Sequence, residues 1–100
     1  MKNEKKIVQE QAWTGDAVLG LFAREWILRE ERKMDAEMFA RMTSNHFLNC
    51  LGNPTQIEAK IGRIYEKEGL QKSFYYIERE LVPLFLKQEK KRIRKAQGKR

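Results

Sequence analysis

Two acidic side chains stand apart from the rest of the charge in this 100-residue sequence. Asp16 lies in Trp13-Thr14-Gly15-Asp16-Ala17-Val18-Leu19, directly ahead of an apolar run. Glu58 lies in Thr55-Gln56-Ile57-Glu58-Ala59-Lys60-Ile61-Gly62, beside an apolar helical stripe. Carboxylates at the edge of a core suit two kinds of work: moving a proton, or holding a hard cation such as Mg²⁺, which takes oxygen ligands and keeps several waters. Each acid also has an ordinary structural use. Asp16 can cap a helix that begins after Gly15, and Glu58 sits early in its helix, where a carboxylate favours the positive end of the dipole. A glycine lies close to each, so the two backbones can approach and bring the acids together.

Other chemistries have less to stand on. One histidine, His46, and one cysteine, Cys50, do not make a zinc site. There is no Ser-His-Asp arrangement, no glycine-rich phosphate loop and no zinc-finger spacing. His46 reads as a surface or half-buried helix residue. Cys50, in Phe47-Leu48-Asn49-Cys50-Leu51, reads as a small buried position rather than a nucleophile. A lone cysteine forms no internal disulfide, which points to a reducing compartment.

The charge is unevenly placed. The net charge is +7, and between Lys87 and Arg100 eight basic residues face one acid, leaving residues 1–86 balanced at thirteen of each sign. A basic run of this kind is a polyanion-binding arm, for nucleic acid first and an anionic membrane second, or else a solvated helix end. The candidate contacts are Lys87, Lys90, Lys91, Arg92, Arg94 and Lys95. The charged start, Met1 to Lys6, has no apolar stretch after it, and the longest apolar run, Ala17 to Ala23, is too short to span a bilayer. The expectation is a cytoplasmic protein with no membrane partner.

The elements that must position these residues are helices. Ile7 to about Glu31 carries an apolar face led by Trp13, Ala17, Leu21 and Leu28, joined by Val18, Leu19, Phe22 and Trp26. Gly15 marks either a boundary within it or a close contact with another backbone. A second helix is expected from Asp35, as N-cap, to Leu48, with Met38, Phe39 and Met42 inward. The third starts at Asn53-Pro54 with Gln56 closing a capping box. Its stripe is Ile57, Ile61, Ile64 and Tyr65, and Gly69 ends it as a left-handed cap. The fourth starts near Leu70 with Phe74, Ile77, Leu81 and Leu84 on one face, and Pro83 kinks or ends it. The class is all-α: one domain over residues 1–86, then a basic tail over 87–100.

Gly15-Asp16-Ala17-Val18-Leu19 resembles the signature of the ribonuclease III domain family. Glu58-Ala59-Lys60-Ile61-Gly62-Arg63-Ile64-Tyr65 resembles that family's second motif, and Glu68-Gly69-Leu70 and the closing helix through Pro83 follow the same order. The family pattern has two further acids, at the positions of Ala12 and Thr55 here. Their joint loss resembles the Mini-ribonuclease III branch, which likewise has no separate double-stranded-RNA-binding domain. The resemblance implies a homodimeric, Mg²⁺-dependent endoribonuclease (Mn²⁺ as a substitute) that cuts double-stranded or structured RNA, with ribosomal RNA processing as the analogous task. Asp16 and Glu58 would then be both catalytic residues and metal ligands, with the basic tail taking over duplex binding through backbone charge. Large apolar side chains of the first two helices, Trp13, Phe22, Trp26, Met38 and Met42, include candidates for a dimer contact. The alternatives are a catalytically inactive ribonuclease III-like RNA-binding module, and a helical protein-binding adaptor.

Overall fold

The computed structural model describes residues 3–98. Met1 and Lys2, and Lys99 and Arg100 of the basic run, lie outside the described residues. The described residues are all-α, with six helices among them: α1 (Glu4–Glu31), α2 (Ala36–Met42), α3 (Asn45–Leu48), α4 (Pro54–Glu68), α5 (Leu70–Glu80) and α6 (Val82–Gly98). It is elongated, 59 × 24 × 21 Å. No described helix is long and apolar enough to cross a membrane.

Side-chain caps set the starts. Asn3, Asp35, Ser44 and Asn53 each accept a hydrogen bond from the backbone N–H three residues on, at 3.2, 2.9, 3.0 and 3.0 Å. Each satisfies a donor that the first helical turn leaves free. The single helix expected from Asp35 to Leu48 is in fact two. Ser44 is the reason: its hydroxyl donates to the Arg41 carbonyl at 3.0 Å and accepts from the Phe47 N–H, closing α2 and opening α3 with one side chain. Asn53 and Pro54 start α4 as the sequence indicates. Gly69 ends it with φ 92° and ψ 175°, an extended conformation of positive φ rather than the left-handed helical one, and open essentially to glycine. Pro83 ends the helix that starts at Leu70, as the sequence indicates: it has no N–H for the Arg79 carbonyl, α5 stops at Glu80 and the chain restarts as α6 at Val82. The break comes before it, at Leu81, so that Pro83 falls in the first turn of α6, where its missing N–H costs nothing. From there α6 runs without interruption across residues 86 and 87 into the basic segment.

α1 is the spine. Val18, Leu19, Phe22, Ala23, Trp26 and Ile27 are buried along one side of it, against Met42, Phe47, Leu48, Ile61, Ile77, Leu81, Val82 and Phe85 from the other five helices. Edge-to-face aromatic pairs tie the layers: Phe22 with Phe74 at 5.2 Å, and Phe85 with both Trp26 at 6.0 Å and Phe47 at 5.5 Å. The four residues expected to lead the α1 core face are instead exposed: Trp13 is 82% accessible, Leu28 50% and Leu21 40%, with Ala17 between them. At 100° per residue these four fall within about 80° of the helix wheel, a separate outward stripe. A helix apolar on two sides gives a broad periodic signal, and periodicity alone does not say which side finds a partner.

Candidate functional site: a carboxyl pair and a basic cleft

α1 and α4 cross at their glycines. A Cβ on Gly15 would overlap the Glu58 carbonyl oxygen and lie 2.9 Å from the Gly62 nitrogen; one on Gly62 would overlap the Gln11 carbonyl oxygen. Ala12 and Ala59, both buried, complete the contact. Helices whose contact residues carry side chains stay about 8–10 Å apart, so this approach needs glycine on both sides. Of the two uses open to Gly15, a boundary or a close backbone contact, the second holds. α1 also passes unbroken through Asp16, which is therefore mid-helix and caps nothing.

The crossing sets the two acids side by side. Asp16 is exposed, Glu58 is half-buried, and their carboxyls are within hydrogen-bonding reach of each other. Burial, then the neighbouring Asp16 charge and the hydrogen bond to it, push the Glu58 carboxyl up from its usual range to about 7. Near neutrality Glu58 therefore holds its proton beside the Asp16 carboxyl. When that proton leaves, the two carboxyls become two hard oxygen donors from two different helices. Among the described residues no group of three or more His, Cys, Asp or Glu side chains gathers around a point. The positions where the family pattern has further acids explain this locally: Ala12 is packed inside the crossing, and Thr55 is exposed on the first turn of α4. A Mg²⁺ ion is commonly held by one or two carboxylates with water completing its shell, so the donor set fits that ion in type and number.

Neither carboxyl lines any of three concavities found elsewhere on the described surface. One of these, about 430 Å³ between α2–α3 and α6, is lined by Arg41, Ser44, His46, Phe47, Phe85, Gln88, Glu89, Lys91, Arg92 and Lys95. Its inner wall is an ion pair. The Arg41 Nε–H and Nη2–H donate to the two Glu89 oxygens at 2.8 and 3.0 Å, and Arg92 donates to Glu89 at 3.4 Å. Burial pushes the Glu89 carboxyl up, but the hydrogen bonds and charges of Arg41 and Arg92 outweigh it and hold the carboxyl below its ordinary value. The same pairing raises the Arg41 guanidinium.

The six basic residues expected to bind nucleic acid all lie on α6 and are exposed, but only three of them line the cleft: Lys91, Arg92 and Lys95. Lys87, Lys90 and Arg94 continue the same basic arc around the helix, with Lys87 one turn from Lys91. Arg41 and His46 join the cleft cluster from positions that composition did not single out. Arg41 and Glu89 are 48 residues apart, and nothing local to either signals the pairing. Cys50 is exposed rather than buried: its Sγ sits beside Gln88, whose side-chain N–H donates to it at 2.9 Å, on the rim of the same junction. A five-residue apolar context was a poor guide, because α3 ends at Leu48 and the loop that follows turns Cys50 outward.

Compared with family models, with curated proteins and with solved structures, the chain has no match in any of the three.

Proposed function

We propose that the chain is an endoribonuclease of the ribonuclease III type, dependent on Mg²⁺ or Mn²⁺ and acting on double-stranded or structured RNA in the cytoplasm. The observation that carries this is the carboxyl pair: two acids 42 positions apart in sequence, each within a motif resembling that family, are brought together by a helix crossing that needs glycine on both sides. Asp16 and Glu58 would hold the cation. When bound, such an ion supplies charge stabilisation at a phosphodiester and lowers the pKa of a nearby water. The chain itself contributes position and proton balance. Backbone contact at Gly15 and Gly62 sets the helices that carry the two carboxyls, and the proton Glu58 holds near pH 7 must leave before both can act as ligands.

The exposed apolar stripe that begins beside Asp16 supports a second copy of the chain as partner. Trp13 lies one turn before Asp16, and Leu21 and Leu28 continue the stripe along α1 away from the acids. A homodimer packed there would wall a groove that one copy leaves open. The test is cleavage of an RNA duplex with Mg²⁺ by the unaltered chain and by Asp16→Asn and Glu58→Gln. The expected loss is at least about 100-fold in each, in line with removing a residue central to charge stabilisation. Cleavage that persists in both variants overturns the assignment. The second reading, an inactive RNA-binding module, is favoured by Ala12 filling the crossing where the family pattern has an acid. Salt-sensitive RNA binding without cation-dependent cleavage would select it.

A further inference from the structure

The carboxyl pair leaves the basic cleft between α2–α3 and α6 without a role. We propose that this cleft is a phosphate-binding site, and that its occupant is a backbone phosphate of the RNA. The choice of RNA as the source rests on the reading above; the phosphate chemistry does not.

Four full cations, Arg41, Lys91, Arg92 and Lys95, line the cleft against the one carboxylate of Glu89, and His46 adds a ring nitrogen donor. Glu89 is spent on the wall. It is buried, and its oxygens accept from Arg41 and Arg92. That leaves Lys91 and Lys95 without an ion pair among the described residues. Arg41 uses two of its five N–H donors on Glu89 and makes no other side-chain hydrogen bond among the described residues. A guanidinium gripped on one edge and unpartnered on the rest is oriented in advance for a tetrahedral anion.

The floor of the cleft is Phe47 and Phe85, both buried, so the cations look into a concavity with a low-dielectric wall that strengthens their field. Arg92 and Lys95 also line a second, more open concavity of about 720 Å³ with Ala96 and Gly98, so the positive surface continues along α6 as a chain of phosphates would require. The site is separate from the acids. Trp26, which packs on Phe85, is ten residues along α1 from Asp16, about 15 Å at the rise of a helix. A duplex engaged at the acid pair could therefore be gripped a few nucleotides away without crowding it.

A single histidine in the sequence makes the test direct, because the His46 Hε1 proton is one resolvable NMR signal. Inorganic phosphate is titrated into the unaltered chain at constant ionic strength, with chloride as the control. The expected result is a saturable shift of the His46 signal with phosphate and none with chloride. The shift disappears in the Lys91→Gln/Lys95→Gln double variant, whose substitutions are on exposed helix positions and leave the Arg41–Glu89 pair intact. In parallel, duplex RNA binding is measured by fluorescence anisotropy on an Asp16→Asn background, so that cleavage does not enter.

The double variant is expected to lose about 10-fold or more in affinity, and its log–log salt slope to fall by about two, near one per cation removed. His46→Gln serves as a milder variant for the RNA arm, with an expected loss of a few-fold. A phosphate response in a chain that binds no duplex RNA upholds the phosphate site and overturns RNA as its source. The same conclusion follows if the double variant binds RNA as the parent does. Equal responses to phosphate and chloride overturn the site itself.

Discussion

At the α1–α4 crossing two backbones touch and two carboxyls are pushed together; at the α2–α3/α6 cleft the helices stand apart and opposite charges close the gap. The first region is built from glycine and alanine, Ala12, Gly15, Ala59 and Gly62, and has no room to adjust. The second is built from long side chains, Arg41, Glu89 and Arg92, that can rearrange. The contrast extends to electrostatics. Glu58 faces a like charge and is held above its ordinary value, whereas Glu89 faces two opposite charges and is held below it. A like-charged pair costs stability unless a proton or a cation occupies it. An opposite-charged wall is satisfied as it stands, and only the cations beyond it remain available.

The sharpest break in this comparison is Gly15→Ala or Gly62→Ala. Alanine gains about 1 kcal/mol of helix propensity over glycine. Against that, a Cβ at either site overlaps a backbone carbonyl oxygen on the facing helix, which cannot move aside as a side chain would. The helices must separate, and the expected net loss exceeds about 3 kcal/mol, read as a lower midpoint in denaturant or a lower Tm. At the cleft, Glu89→Gln leaves the partly exposed Arg41 without its carboxylate. The expected loss is smaller, about 2 kcal/mol, and confined: amide exchange should rise in α6 beyond Phe85 while α1 and α4 keep their protection.

That ordering also bears on what was legible from the sequence. The crossing was readable because a glycine inside a helix pattern is costly in itself and therefore asks for a reason, and both glycines sat beside an acid. The starts of α2 and α4 were readable because Asp35 and Asn53-Pro54 carry their capping chemistry in their own side chains. The cleft was not readable. Arg41 looked like any surface arginine on a short helix, and Glu89 like a stray acid in a basic run; only folding α6 back over α2 makes them partners. Which of the six tail cations reach the cleft needed the helix itself, since a charge count does not distinguish a wrapped arm from a straight helix. The inward and outward apolar stripes of α1 were merged for a similar reason: Trp13 and Trp26 carry the same hydrophobic signal, and only tertiary contact separates them.

The two regions should also respond to pH in opposite directions. Glu58 is an acid with a raised folded-state pKa, so the native state holds its proton more tightly than the unfolded chain. Its favourable contribution is complete below the usual carboxylate range, near 4.5, and is lost as pH rises through about 7. With allowance for solvent around a half-buried group, the loss is about 1–2 kcal/mol. Glu89 has a lowered pKa, so its contribution is present above the ordinary value and is lost as pH falls through its depressed one. Denaturation at pH 3, pH 5 and pH 8.5 should therefore show Glu58→Gln flattening the decline from pH 5 to pH 8.5 and Glu89→Gln flattening the decline from pH 5 to pH 3. Millimolar Mg²⁺ should restore stability at pH 8.5 in the parent chain but not in Glu58→Gln. Parallel pH curves for all three proteins would show that the contrast drawn from the geometry has no energetic counterpart.

The smallest expected effect on folding is at Trp13. With 82% of its surface accessible, it contributes little to the monomer's core, and Trp13→Ser should change unfolding free energy by no more than about 0.5 kcal/mol. Its position gives the substitution meaning. Trp13 is one turn from Asp16 on an open flank of α1, whereas the cleft is walled by two elements of the same chain. If the open flank is closed by a second copy, Trp13→Ser shifts the sedimenting species from dimer to monomer at micromolar concentration and slows RNA cleavage, while the cleft's response to phosphate stays as it was. A parent chain that sediments as a monomer, or a variant that remains a dimer with full activity, would mean that the acid pair works from an open surface. The asymmetry between the two regions would then be one of construction alone.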